Sequence, residues 1–166
     1  MTRRHFFLIA LVPVVLFAAW HYLSPGRQLK VAQERFLTAV SEKDVEACGR
    51  LLGENYTDQW GFSPSDWPGI LKDLRMLSPI LEIVPVNPVF DAETGVVEAS
   101  LQVRSAGGPA SEFIGSRAVE LRETTRFTWA REDWRPWSWR LLSIQNPELE
   151  IPSDYQPGRI TGVPSF

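Results

Sequence analysis

The residue types that most often carry catalysis are scarce in this chain. Both histidines, His5 and His21, lie near the N-terminus, and no histidine follows them among the 166 residues. Cys48 is the only cysteine. Nucleophilic catalysis by Ser-His-Asp or Cys-His groups is therefore excluded from the rest of the chain. A disulfide within the chain and a cysteine-rich metal site are excluded as well, so we expect no metal and no cofactor.

One carboxylate stands where the local pattern calls for an apolar side chain. Apolar and polar residues alternate over positions 119–129, which is typical of a strand with one wet face, and Glu123 falls on the apolar side. An inward side chain would have a pKa raised by burial and would be suited to general-base catalysis. Since buried carboxylates are normally paired, we instead expect Glu123 to turn outward at a bulge or to pair with an arginine such as Arg104 or Arg126.

Four of the seven tryptophans lie in one stretch, "FTWAREDWRPWSWRLL", at positions 127–142. Such a group has three interpretations: a ligand cage, a base-stacking platform, or the core of a β-hairpin. Alternation puts Trp129 at the end of one strand and Trp137 and Trp139 at the start of the next, while Trp134 falls in the charged turn. We expect Trp129 and Trp139 to hold the hairpin in register and to be buried in the core, with a cage lined by both as the alternative.

The chain is acidic, with a formal net charge of −3. Two of its basic residues, Arg3 and Arg4, lie at the very N-terminus, so the remainder is more acidic still. Protein affinity for nucleic acid comes largely from lysines and arginines that replace counterions. We therefore expect no nucleic-acid partner, which argues against base stacking by the tryptophans.

The first 26 residues, "MTRRHFFLIALVPVVLFAAWHYLSPG", resemble a targeting or membrane segment. Paired arginines precede an apolar run, 6–23, that is close to the lower length limit for a membrane span. Trp20 and Tyr22 suit the opposite interface. We expect residues 1–26 to be an uncleaved signal anchor that crosses a bacterial inner membrane once and leaves the domain in the periplasm. A cleaved signal peptide, which would make the protein secreted, and a buried core helix are the alternatives.

Helical periodicity comes first in the remaining chain, and strand periodicity follows it. The spacing predicts helices over 27–41, from Val45 to Leu52, and over 67–77 with Asp66 as the N-cap. Strands are predicted over 80–90, 97–103, 113–129 and 137–141. The first contains Pro85 and Pro88, which points to an edge or a bulge. This order predicts an α+β fold with three helices on one face of a curved antiparallel sheet, followed by an extended or disordered proline-rich tail, 147–166.

Two segments carry a resemblance to a known family. "FLTAVSEKDVEACGRLLGENYTDQW" and "RFTWAREDWRPWSWRLLSIQNPEL" resemble the opening helices and the last hairpin of nuclear-transport-factor-2-like (NTF2-like) domains, over roughly residues 28–147. The resemblance implies one cone-shaped domain, 27–146, often with a pocket at its wide end. By position, Tyr56, Asp58 and Trp60 would lie near the pocket mouth. Glu123 would line the pocket as a base, with Tyr56 as the proton donor.

Three functions follow from these patterns. The first is a membrane-tethered, non-catalytic binding or assembly module outside the cytoplasm, with a protein partner or a second copy bound through the sheet. The second is an isomerase, dehydratase or cyclase that acts on a small molecule, although the lack of a histidine in the domain departs from catalytic members of the family. The third is a domain that binds a small ligand without chemistry.

Overall fold

A computed structural model describes residues 24–111, 123–135 and 137–160. Its helices are α1 (Pro25–Glu42), α2 (Val45–Leu51) and α3 (Trp67–Leu77), with a 3-10 turn at Pro64–Asp66 before α3; its strands are β1 (Ile80–Asp91), β2 (Val96–Ala106), β3 (Thr125–Arg131) and β4 (Trp139–Gln145). The apolar segment expected to anchor the protein lies outside the described residues. None of the helices within those residues combines the length and the apolar character that crossing a membrane requires.

The helix ends follow local rules, with one departure from the sequence prediction. Asp44 caps α2, because its Oδ1 accepts the backbone N–H of Ala47 at 2.9 Å. Asp66 occupies the predicted N-cap position of α3, but its side chain forms no cap hydrogen bond to that helix. Asp66 instead belongs to the 3-10 turn, where its Oδ2 accepts the backbone N–H of Ser63 at 2.8 Å and closes a capping box one turn earlier.

The four strands form one antiparallel sheet in the order β1-β2-β3-β4. Strand β1 is an edge, as its prolines predicted, and its register with β2 shifts between Val86 and Val89. Asn87 sits in that irregularity with φ of 48°. Edge and bulge positions tolerate proline because no neighbouring strand needs the missing N–H. The stretch 113–122, predicted as the start of the third strand, lies outside the described residues.

The core lies between the helices and one face of the sheet, and aromatic rings fill its centre. Phe36 of α1 meets Trp67 edge-on at a centroid distance of 5.3 Å and Trp129 at 6.2 Å. Tyr56 meets Trp67 in the same manner at 6.0 Å. Edge-to-face pairs at these distances are favourable beyond the area they bury. Three helices packed on an antiparallel sheet confirm the predicted α+β class.

The β3–β4 hairpin buries two tryptophans and exposes two. Trp129 pairs with Leu141 in the ladder and Trp139 pairs with Arg131, and both indoles are buried. Trp137 was expected to begin the last strand, and this is wrong. Strand β4 begins at Trp139, and Trp137 is 63% exposed. The reason is Ser138, which is drawn into the turn by hydrogen bonds rather than into the ladder.

Only glycine fits the turn that joins β1 to β2. Gly95 has φ of 72°, and a methyl group there would overlap the carbonyl oxygen of Trp129. The Gly95 carbonyl accepts the backbone N–H of Trp129 at 2.7 Å. The turn between the first two strands is therefore bound directly to the base of the β3–β4 hairpin.

Candidate functional site

The structure brings Tyr56 and Asp58 together. The Tyr56 hydroxyl donates a hydrogen bond to Oδ2 of Asp58 at 3.0 Å, and the Tyr56 side chain is 3% exposed. The other carboxylate oxygen, Oδ1, accepts the backbone N–H groups of Trp60 at 3.0 Å and Phe62 at 2.9 Å. Asp58 thus organises the loop between α2 and the 3-10 turn, and Tyr56 fastens that loop to the core.

The environment of Tyr56 keeps its phenol protonated. Burial raises the pKa of Tyr56, the negative charge of Asp58 raises it further, and the hydrogen bond to Asp58 adds to the rise. The indole N–H of Trp67 acts in the opposite direction and lowers the pKa of Tyr56. Trp67 Nε1 is buried and has no hydrogen-bond partner among the described residues. The only proton that Tyr56 has to donate is already shared with Asp58. Its arrangement therefore suits a structural hydrogen bond better than proton transfer to a ligand.

Trp60 contacts the C-terminal tail. Its indole Nε1 donates to the carbonyl oxygen of Leu149 at 2.8 Å, and the amide oxygen of the adjacent Gln59 accepts the backbone N–H of Asn146 at 2.8 Å. Both residues line a shallow surface groove of about 450 Å³ together with Leu149 and Ile151. This groove lies between the loop and the tail rather than inside the domain.

Glu123 does not point inward, as the family resemblance implied, and is turned outward, as the cost of burying a carboxylate led us to expect. Glu123 precedes β3, its side chain is exposed, and its backbone N–H donates to Oε2 of Glu148 at 2.9 Å. Thr125 is the first buried position of the strand, and its Oγ1 accepts from Nδ2 of the buried Asn146 at 2.9 Å. The tail after β4 therefore determines where the interior face of β3 begins.

The two arginines considered as partners for Glu123 pair with other residues. Arg104 lies 3.4 Å from a carboxylate oxygen of Glu82, and Arg126 lies 3.3 Å from one of Glu98. In both pairs the two side chains face each other across neighbouring strands on the outer face of the sheet. Such exposed pairs contribute little to stability, about 0–1 kcal/mol each.

Trp129 and Trp139 belong to the packed interior. The Trp129 indole Nε1 donates to Oε1 of Gln33 at 2.9 Å, and both side chains are buried. The Arg131 guanidinium carbon lies 5.0 Å from the ring centroid of Trp139 on its outer side. Both indoles are buried members of the hydrophobic core.

Sequence reasoning missed two buried polar residues, Gln33 and Asp73. Gln33 lies four residues after Leu29 on the apolar stripe of α1, and Asp73 lies on α3. Asp73 Oδ2 accepts the hydroxyl of Tyr155 at 2.9 Å. It also accepts the backbone N–H of Gly158 at 2.7 Å. A polar residue on an apolar stripe was the available signal, because such residues are buried only when a partner reaches them.

Tyr155 and Gly158 belong to the tail, which has no helix or strand over 147–160 but lies against α3. Tyr155 also packs edge-on against Phe62 at a centroid distance of 5.8 Å. Burial, together with the hydrogen bond to Asp73 and its charge, raises the pKa of Tyr155. Backbone hydrogen bonds from Tyr155 to Pro152 and from Arg159 to Gln156 close turns in this segment, which lies against α3 without forming a helix or a strand as far as residue 160.

A second concavity lies where the α2–loop junction meets the β3–β4 hairpin. It measures about 160 Å³ and is lined by residues that include Gly53, Arg131, Glu132 and Arg140. Ligand sites for small molecules usually occupy about 300–1,000 Å³, so this space is small for one. Within the described ranges, no group of three His, Cys, Asp or Glu side chains is placed to hold a metal ion.

Comparison with known proteins gives similarity at the level of structure. Neither a protein-family model nor a curated protein sequence matches the chain. The structure of Bd1075 from Bdellovibrio bacteriovorus is similar, with a TM-score of 0.53 and 11% identity over 71% of this chain. The similar region is 39% of that protein, so the chain spans well under half of its length. At this identity the likeness shows the fold alone.

Two solved structures from Cytophaga hutchinsonii also match, and both are described as NTF2-like proteins. One, of unknown function, has a TM-score of 0.40 and 10% identity, and covers 70% of this chain and 85% of its own. The other has a TM-score of 0.45 and 16% identity, and covers 69% of this chain and 92% of its own. With three helices first in the described residues and one antiparallel sheet after them, the domain has the α+β architecture that the sequence predicted.

Proposed function

We propose that this chain is a membrane-tethered, non-catalytic binding or assembly module whose domain faces away from the cytoplasm. The packing of the interior is the observation that supports it most. Phe36, Trp67 and Trp129 interlock in the described core, and Tyr56 shares its proton with Asp58. A domain that uses its interior for packing must bind its partners at its surface.

The enzyme alternative loses the residue on which it depended. It needed Glu123 to act as a base inside the domain beside Tyr56, and Glu123 is exposed before β3. The tether is supported by sequence alone, through the apolar run 6–23 and the arginines before it. The anchor and the location outside the cytoplasm are therefore proposals.

The outer face of the sheet is the surface we propose for assembly. Val84, Val86 and Val89 of β1 point away from the helices, and each is exposed. The charged side chains beside them are neutralised within the face, where Arg104 pairs with Glu82 and Arg126 pairs with Glu98. Because its charges are balanced, this face does not repel the same face of a second copy related by a two-fold axis. We therefore propose that a second copy of this chain binds the outer face of the sheet.

Membrane extraction tests the tether. We expect the full-length protein to stay in the membrane fraction after carbonate treatment, and a chain that starts at Gly26 to be soluble. Recovery of the full-length protein in the soluble fraction at its unprocessed mass would show that the anchor is wrong.

Oligomeric state in detergent tests the assembly surface. Val84 and Val45 are matched for exposure, at 42% and 41%, but Val45 lies on α2 and not on the sheet. We expect Val84→Glu to convert a dimer to a monomer in analytical ultracentrifugation, and Val45→Glu to leave the dimer intact. A wild-type protein that is already a monomer at high concentration would exclude self-assembly and leave a different protein as the partner.

A further inference from the structure

Two tryptophans at the tip of the β3–β4 hairpin are exposed to solvent. Trp134 is 86% exposed and Trp137 is 63% exposed, while Trp129 and Trp139 at the base of the same hairpin are buried. A large ring held in water gains nothing for the fold. Tryptophan is enriched where one end of the side chain meets apolar material and the other meets water, as at the surface of a bilayer.

The hairpin tip, defined as residues 132–135, 137 and 138, is held in one conformation by hydrogen bonds. Ser138 Oγ lies 2.9 Å from the carbonyl oxygen of Asp133 and 2.8 Å from that of Arg135. The backbone N–H of Arg135 donates to Oδ1 of Asp133 at 2.7 Å, and that of Glu132 donates to the carbonyl of Ser138 at 3.1 Å. A rigid tip presents its rings without the entropy cost of ordering a flexible loop.

The hairpin tip lies at the end of the domain where the chain enters from its N-terminal segment. Because neighbouring strands are antiparallel, one end of the sheet contains the end of β1, the start of β2, the end of β3 and the start of β4. Gly26, at the start of α1, lies at that end, because a methyl group placed on it would come 4.0 Å from the side chain of Ala92 in the β1–β2 turn. Gly95 of the same turn then contacts Trp129 and the ring of Trp139 at the hairpin base.

We infer that the hairpin tip rests in the lipid headgroup region of the membrane that the N-terminal segment crosses. The inference rests on the proposed tether, because the 23 residues before Ser24 contain the apolar run and join the domain at the end that bears the tip. A span leaving α1 at this end holds the tip beside the bilayer surface. Trp134 and Trp137 then lie at the depth that interfacial tryptophans occupy.

The charges around the tip fit a headgroup contact that does not depend on lipid charge. Arg135 lies 3.6 Å from its own carboxylate partner, Asp133, and Glu132 pairs with Arg140 at 3.0 Å. Arg131 stacks on Trp139 and contacts no carboxylate among the described residues, so its N–H groups are available to a phosphate. With charge nearly balanced, the tryptophans provide the main attraction. The hairpin tip should therefore bind zwitterionic and anionic bilayers almost equally well.

Quenching by lipids with brominated acyl chains tests the contact in the full-length protein. The protein carries Trp20→Phe to remove the tryptophan of the apolar run and is reconstituted into zwitterionic vesicles, with anionic vesicles as a second arm. We expect marked quenching that is mostly lost in the Trp134→Phe/Trp137→Phe double variant. Trp60→Phe is the matched control, because Trp60 contacts the chain after β4, at the opposite end of the sheet. Its removal should leave the quenched fraction unchanged.

Two failures can be told apart. If carbonate extracts the full-length protein from the vesicles, the tether is wrong and the inference falls with it. If the protein is retained but the double variant is quenched as strongly as the Trp60→Phe control, the tether stands and the lipid contact is overturned. In that second case, the tip is left for a protein partner. Unchanged urea unfolding of the double variant confirms that loss of quenching does not come from loss of the fold.

Discussion

Trp129 of β3 and Gln33 of α1 are joined by a hydrogen bond of 2.9 Å between two side chains that water does not reach. The bond runs from the indole Nε1 to the amide Oε1 and links the sheet to α1 through the middle of the core. The amide nitrogen of Gln33 has no partner among the described residues. A single directional bond in an apolar core favours one placement of the helix on the sheet over the alternatives that packing alone would allow.

Trp129→Phe should be strongly destabilising, and Trp134→Phe should not. The first change leaves the buried Oε1 of Gln33 unpaired and opens a cavity, so we expect a loss of about 2–4 kcal/mol in the free energy of unfolding. The second removes an exposed ring, with an expected effect within about 0.5 kcal/mol. Urea unfolding measured by circular dichroism compares the two variants. Equal losses would contradict the burial assigned to the hairpin.

Tyr56 should make the protein sensitive to alkali. Its pKa in the folded protein is raised above the ordinary 10.0, so the unfolded chain loses the phenolic proton first. The stabilisation is therefore complete below about pH 10 and declines as the pH rises above that value. Tyr56→Phe should be less stable than wild type near neutral pH, because the hydrogen bond to Asp58 is lost, and should lose less stability in alkali.

Tyr155 has a raised pKa as well, so Tyr155→Phe is the companion variant. The free energy of unfolding at about pH 8 and about pH 11 is measured for wild type and both variants. A Tyr56→Phe protein with the full alkaline loss of wild type would show that the phenol is not responsible.

Glu123→Gln should have almost no effect on stability. The exposed side chain contributes no packing, and the backbone N–H that bonds to Glu148 is retained in the variant. We expect a change within about 0.5 kcal/mol in urea unfolding. A loss of several kcal/mol would contradict the exposure of Glu123 and would indicate that its carboxylate is buried and paired.

Gly69→Ala should release the C-terminal tail from α3. A methyl group at this position would lie 2.7 Å from the carbonyl carbon of Pro157 and 2.8 Å from the nitrogen of Gly158, which is too close for backbone atoms to accept. We expect faster tryptic cleavage after Arg159, followed by mass spectrometry, and a loss of about 1–3 kcal/mol as the bonds to Asp73 break.

Gly49→Ala is the control for that change. Gly49 is exposed on α2, and a methyl group there meets no atom within 4 Å. Alanine favours helix over glycine by about 1 kcal/mol, so this variant should be slightly more stable with unaltered cleavage of the tail. Equal cleavage in the two alanine variants would show that the tail does not depend on Gly69.

Periodicity was enough to determine the helices, the edge strand and the class of fold. The apolar spacing from Leu29 onward predicted α1 to within two residues at each end, and Pro85 and Pro88 identified β1 as an edge. The alternation that includes Trp129 and Trp139 predicted their burial. These features depend on local geometry, because a helix or a strand repeats its contact with the core at a fixed interval along the chain.

Tertiary contacts decided what periodicity could not. The alternation around Glu123 gave no sign that Asn146, beyond the next strand, bonds to Thr125 and sets the first buried position of β3. The proline-rich tail likewise has no period, yet Tyr155 and Gly158 reach Asp73 across more than 80 residues of chain. The sequence by itself determined which apolar positions of the helices and strands face the core. Only the folded chain decided which polar groups meet there, because hydrogen-bond partners far apart in sequence leave no periodic trace.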